Sequence, residues 1–203
     1  MSQQPLNLRR FVLLLFPMLA ICFALWWSLS GWLASPALSA SEWLLAWWLP
    51  DSFHLLQQKG ATGLVFSTLG ELNGQLMSAQ AAKNYLAFEF NTQILSFSLP
   101  FFCALTFAAP GNFSLEHLLE GIAALYAVFV ISVAILALKT LMVGLGPQNV
   151  VESQGSLFLN INTVALLYQV CTLILPILIP VLIWVGQKRH LLAPHFNRIY
   201  NPS

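Results

Sequence analysis

The side chains best suited to metal binding or nucleophilic work are four histidines, His54, His117, His190 and His195, and three cysteines, Cys22, Cys103 and Cys171. Their spacing supports neither chemistry. No two histidines stand four residues apart, and neither Cys-x-x-Cys nor His-Glu-x-x-His occurs. Those spacings are the ones that bring ligands to one side of a turn or helix. Each cysteine lies in an apolar run with no histidine on its own segment, so a thiol nucleophile lacks a nearby base. Packing is the ordinary role of such a cysteine, and an odd number of them far apart gives no disulfide framework. Glu116 and Glu120 flank His117 one turn apart, but "NFSLEHLLEG" accounts for them without catalysis. Ser114 caps a helix there, and the acids sit at the positive end of its dipole. Phosphate loops and dinucleotide fingerprints are absent. The sequence leads us to expect no cofactor and no metal.

What is unusual is polar and helix-breaking material inside apolar runs. "TVALLYQVCTLILPILIPVLIWVGQKRH", Thr163 to His190, is the longest of these. It opens with Tyr168 and Gln169, carries Pro176 and Pro180 four apart, and closes on Lys188 and Arg189. Proline removes a backbone donor and crowds the preceding turn. Membrane helices tolerate it where neighbours or hydroxyls satisfy the freed carbonyls, and Thr172 stands one turn before Pro176. This spacing predicts a kinked helix packed in a bundle, with the Gln169 amide available to a neighbouring helix. Lys139, in another apolar run, is expected to snorkel to the headgroups or to pair with an acid such as Glu152.

The elements that hold these residues belong to a membrane protein. Hydrophobic residues make up 58% of the chain and charged ones 7%, against about 25% charged in soluble domains. With no basic tract, nucleic-acid binding is not expected. Four apolar segments are candidate spans: about Phe11–Leu33, Ile94–Ala109, Gly121–Val143 and Val164–Gly186. The second is short for the ~20 residues a span needs and contains Pro100. Arg9 and Arg10 precede the first, and Lys188, Arg189 and Arg198 follow the fourth, which predicts both termini on the cytoplasmic side. The first segment is longer than a signal-peptide core and is expected to remain as an anchor.

Residues 1–33 are thus read as a cytoplasmic start and first transmembrane helix, 34–93 as a periplasmic segment, and 94–203 as a three-span bundle with a cytoplasmic tail. Within 34–93, "SEWLLAWWLPD" predicts a short interfacial helix capped by Ser41, with Trp43 and Trp47 at i, i+4. "LVFSTLGEL", "QLMSA" and "YLAFEF" predict a small three-stranded antiparallel sheet with a hairpin at Asn73-Gly74. The predicted fold is an α-helical integral membrane protein of about four transmembrane helices with this sheet between the first two.

"ALLYQVCTLILPILIPVLIW" resembles the last span of the exosortase H-associated membrane proteins, at Ala165, Leu166, Tyr168, Gln169, Leu175, Pro176, Pro180 and Trp184. "NTQILSFSLPFFCALTFAAP" is similar to the middle motif of that family, at Asn91, Leu99, Pro100, Phe102, Ala104, Leu105, Ala108 and Pro110. The chain departs from the family at Thr92, where proline is usual, and at Leu95–Ser98, where tyrosine and glycine are usual. The resemblance implies an accessory of an exosortase-type protein-sorting system in a bacterial inner membrane, and the lack of paired acid–base groups at short spacing leads us to expect a non-enzymatic one. Its expected partners are the lipid bilayer and an exosortase or the sorted substrate. Asn91, Pro100, Tyr168, Gln169, Pro176, Pro180 and Trp184 are the candidate partner-docking residues. The alternatives are a membrane enzyme or transferase using His54, Glu71, Lys83 and Glu89 on the outer module, or a small transport subunit using Lys139.

The charge asymmetry makes the topology testable. Reporter fusions at Gln75 and Gln154 are expected to read periplasmic and a fusion after His190 cytoplasmic; a cytoplasmic signal at Gln75 overturns the arrangement.

Overall fold

The computed structural model describes residues 8–60, 62–72, 75–110, 113–146, 149–150 and 161–189. The chain forms two compact units: Met1–Leu29 with Phe97–Ala127 and Leu175–Ser203, and Ser30–Ser96 with Val128–Ile174. Among the described residues three helices are long and apolar enough to cross a membrane: Arg9–Trp48, Leu115–Leu145 and Ile161–Gln187. The predicted span at Ile94–Ala109 corresponds to a shorter apolar stretch, Gln93–Ala108, which gives about 24 Å of helix rise against ~30 Å of hydrocarbon.

The first helix, α1, runs unbroken over Leu8–Trp48. The sequence reading ends a helix near Leu33 and caps a new one at Ser41. The structure instead keeps Ser41 inside α1, where its hydroxyl donates to the carbonyls of Ala37 at 2.7 Å and Val130 at 2.9 Å. A serine can mark a cap or satisfy carbonyls within a helix, and here it does the second. In the second unit Ala34, Ala37, Leu38, Ser41, Leu45 and Leu49 are buried, while Trp32, Trp43 and Trp47 stand exposed. The alternation every three to four residues is that of a one-sided helix.

Five strands follow in the same unit: β1 (Phe53–Lys59), β2 (Thr62–Ser67), β3 (Leu69–Leu72), β4 (Gln75–Ser78) and β5 (Ala87–Asn91). A three-stranded sheet has the order β1-β2-β5, and β3-β4 form a separate hairpin. The expected single sheet is therefore corrected in two ways. "LVFSTLGEL" divides at Thr68 into β2 and β3, and β1 was not anticipated. The register explains why β1 hides. Phe53 pairs with Ser67 and Leu55 with Phe66, so His54 is an extra residue. This bulge puts Phe53 and Leu56, three apart, both in buried positions, and breaks the period of two that marks a strand. Gly60, at φ +64°, turns the chain between β1 and β2. Leu72 pairs with Gln75, as the predicted hairpin requires; the Asn73-Gly74 turn itself lies outside the described residues.

A short helix, α2 (Ala79–Ala82), ends at Lys83, whose φ of 56° is left-handed. Asn84 then serves as a substitute strand for β3: its Oδ1 accepts from the Glu71 N–H and its Nδ2 donates to the Glu71 carbonyl. After β5 come α3 (Gln93–Ser96), α4 (Ser98–Ala108) and α5 (Leu115–Leu145). The Ser114 cap of α5 is present, with its Oγ 3.5 Å from the His117 N–H. The last membrane helix is α6 (Ile161–Gln169), a π-turn over Val170–Ile174, and α7 (Leu175–Gln187).

In the first unit α4 packs on α7, and Leu99, Phe102, Leu105, Leu118, Leu125 and Trp184 form a buried cluster. Gly121 admits the Phe102 ring: a Cβ there would meet Phe102 Cζ at 2.1 Å. In the second unit Gly144 receives Phe88, with a Cβ contact of 2.3 Å to its ring. The two glycines differ in what can yield. Phe102 is fully buried, and Phe88 is half-buried. Gly121→Ala is expected to destabilise by about 1–3 kcal/mol, as overpacking does, and Gly144→Ala by less. Thermal unfolding of the two variants in detergent checks this; an equal or reversed order contradicts the packing argument.

Candidate membrane docking surface

The seven residues singled out by sequence separate into packing, turn-forming and exposed groups. Pro100 is the third residue of α4 and is buried. The helical hydrogen bonds begin one residue later, with the Phe101 N–H on the Phe97 carbonyl, so Pro100 removes no donor the helix would use. Pro176, Pro180 and Trp184 are all buried in α7, spaced four apart on one face. Ile177, Leu178 and Leu182 are exposed. The proline face is thus a packing face of the first unit, and lipid meets the aliphatic side chains beside it.

The expected irregularity of this helix takes the form of the π-turn immediately before Pro176. Proline cannot supply the N–H that the carbonyl one turn back would receive. The carbonyl concerned is that of Thr172; the Thr172 hydroxyl itself serves the turn before, with Oγ1 donating to the Tyr168 carbonyl at 2.8 Å and lying 3.4 Å from that of Gln169. π-turns and proline are two of the recognised causes of irregular helix geometry.

Tyr168 has a partner that the sequence did not indicate. Lys139 Nζ lies 4.8 Å from the centroid of its ring, within the range of a cation–π contact. Lys139 is half-buried as a residue, and its positive charge meets the electron-rich ring face. Glu152, the acid considered for Lys139, lies outside the described residues. Gln169 is exposed, and its side-chain amide has no hydrogen-bond partner among the described residues. Asn91 closes β5 opposite Thr62, and its Oδ1 accepts from the Gln93 N–H at 2.8 Å. It sets the strand-to-helix turn, while Gln93 Nε2 donates to Ser30 Oγ at 3.1 Å.

The outer-module groups are placed apart by the sheet register. His54 sits at the β1 bulge, stacked on Tyr85 with ring centroids 4.5 Å apart. Glu89 lies opposite Leu64 and accepts from the Thr62 hydroxyl at 2.9 Å. Since β1 pairs near Ser67 at His54, the two positions are offset by three residues of β2, roughly 10 Å along the strand, and lie on strands to either side of it, a further ~10 Å apart. Among the described residues no three His, Cys, Asp or Glu side chains converge as metal ligands do. Cys171 is buried with a side-chain hydrogen bond to Ser132.

Trp184 combines good packing with one unmet polar group. Its indole stacks on Phe11, centroids 5.4 Å apart, and it is 7% exposed. Its Nε1–H is buried with no hydrogen-bond partner among the described residues, a situation that costs about 1–3 kcal/mol. Trp184→Phe discards that group and keeps an aromatic ring. It is expected to change stability by less than about 1 kcal/mol, whereas Trp184→Ala costs about 3–5 kcal/mol through the cavity it leaves. Unfolding in detergent measures both, and equal losses would mean that the N–H is satisfied in the folded protein.

Comparison with known proteins bears on all of these residues. No curated protein and no solved structure matches the chain. Residues 5–191 match the family described as exosortase H-associated membrane protein. That match includes both stretches analysed above, from Asn91 to Pro110 and from Ala165 to Trp184. The chain belongs to the exosortase H-associated membrane protein family.

Proposed function

We propose that this protein is a non-enzymatic accessory of a bacterial inner membrane that binds an exosortase or the substrate the exosortase sorts. The family membership supports an association with exosortase H. The observation that carries the docking reading is Gln169. It is an exposed amide whose helix otherwise presents Leu166, Leu173, Ile174 and Ile177 outward. In lipid such an amide gains by hydrogen-bonding across to another helix. The buried residues Pro100, Pro176, Pro180 and Trp184 shape the first unit and act on the partner only through it. In this reading Gln93–Ala108 makes a fourth crossing with help from its neighbours, which returns the C-terminus to the cytoplasmic side with the N-terminus.

The reading separates two kinds of variant. Gln169→Leu is expected to lower co-purification of the exosortase about threefold, the effect of losing one interhelical hydrogen bond of ~0.6 kcal/mol, with unchanged amounts of this protein in the membrane. Pro176→Ala is expected to act on the protein's own stability. Unchanged exosortase recovery with Gln169→Leu removes this surface from the docking interface.

A further inference from the structure

The second unit carries an open groove of about 410 Å³ lined by Gly31, Trp32, Ser35, Gln58 and Gly60. One side chain fixes its shape. Gln58 Nε2 donates to the carbonyl of Gly31 at 2.6 Å and to that of Gly60 at 2.8 Å, tying the β1–β2 turn to α1. Two carbonyls around one nitrogen settle the orientation of the amide, since Oε1 cannot donate. Oε1 is therefore the free end of that amide, with no hydrogen bond among the described residues, and the Ser35 hydroxyl has none either. Pro36 has no N–H to return to the carbonyl of Trp32. The lining thus offers hydrogen-bond acceptors and contains no acid or base. Trp32, at 84% exposed, brings an indole to it.

We propose that this groove binds the ammonium of a phospholipid headgroup, phosphatidylethanolamine being the lipid of that chemistry. An alkylammonium carries only donors and complements acceptors that are not already engaged. The face of an indole attracts a cation within about 6 Å of its centre. The exposed Trp32 agrees with a headgroup ligand, since tryptophan favours the membrane–water interface. A phosphate without an ammonium would meet hydroxyl and indole donors at Ser35 and Trp32 but find no cation in the lining.

The test uses the full chain in nanodiscs of equal phosphatidylethanolamine and phosphatidylglycerol, with retained lipid counted by native mass spectrometry after transfer to detergent. The expected result is retention of phosphatidylethanolamine in several-fold excess. Trp32→Leu, at an exposed position, is expected to cut that excess about fivefold with an unchanged unfolding temperature. Ser35→Ala is expected to reduce it as well. Replacing phosphatidylethanolamine by phosphatidylcholine, whose quaternary ammonium has no N–H, is expected to weaken retention. Equal retention of phosphatidylglycerol overturns the proposal. So does a loss of retention in Lys59→Ala that Trp32→Leu does not share, because that pattern assigns the contact to a phosphate.

Discussion

A backbone carbonyl inside a bilayer has no water to turn to, and this constraint governs how the few polar side chains are used. Most hydroxyls in the long helices turn back onto their own chain. Ser41 bonds the carbonyl of Ala37, Thr106 that of Phe102, Ser132 that of Val128, Thr140 that of Leu136 and Thr172 that of Tyr168. Ser41 also reaches a second helix through the carbonyl of Val130, and Ser132 through its bond with Cys171. The prolines disturb the ladder locally: Pro176 and Pro180 supply no N–H to the carbonyls of Thr172 and Pro176, and the π-turn over Val170–Ile174 lies immediately before the first of them.

The motif residues of the family divide along that line. Pro100, Phe102, Pro176, Pro180 and Trp184 are interior, and their chemistry is shape: a proline where no donor is needed, a ring where a glycine makes room. Tyr168 and Gln169 are adjacent in sequence but have different surroundings, one under a lysine and the other open. The motif therefore combines buried positions with one, Gln169, whose amide is exposed among the aliphatic side chains of Leu166, Leu173 and Ile174.

Much of this was legible in the sequence because lipid imposes simple rules. The last membrane helix lies within about three residues of the expected Val164–Gly186, since a long apolar run closed by charge leaves little choice, while α5 begins at Leu115, ahead of the expected Gly121, because its polar first turn is held by the Ser114 cap. Ser114 was readable as a cap because its signal is local. The failures have equally specific causes. Ser41 carries the same local signal as Ser114, and only the carbonyl of Val130, 89 positions away in sequence, shows that it serves the helix interior. The His54 bulge erased the alternation of β1. Thr68 interrupts a run that reads as one strand. The pairing of Lys139 with Tyr168 is tertiary, and neither residue type announces the other. Gln58 is similar: glutamine in a short polar stretch has no signature for a clasp between a turn and a helix.

The position of β2 has a consequence for the order of assembly. It is the middle strand of its sheet, with β1 joined to it by a tight turn and β5 arriving only after β3, β4 and α2 have intervened. Hairpins close within microseconds, while pairing across a longer loop waits on chain closure. The β1–β2 and β3–β4 hairpins are therefore the early structures, and β5 docks late, bringing Phe90 across Gly63 and leading directly into α3. Until then one edge of β2 is open to any extended chain nearby. The short interval between emergence of β2 and arrival of β5 is the period in which this domain is most exposed to mispairing with its own copies.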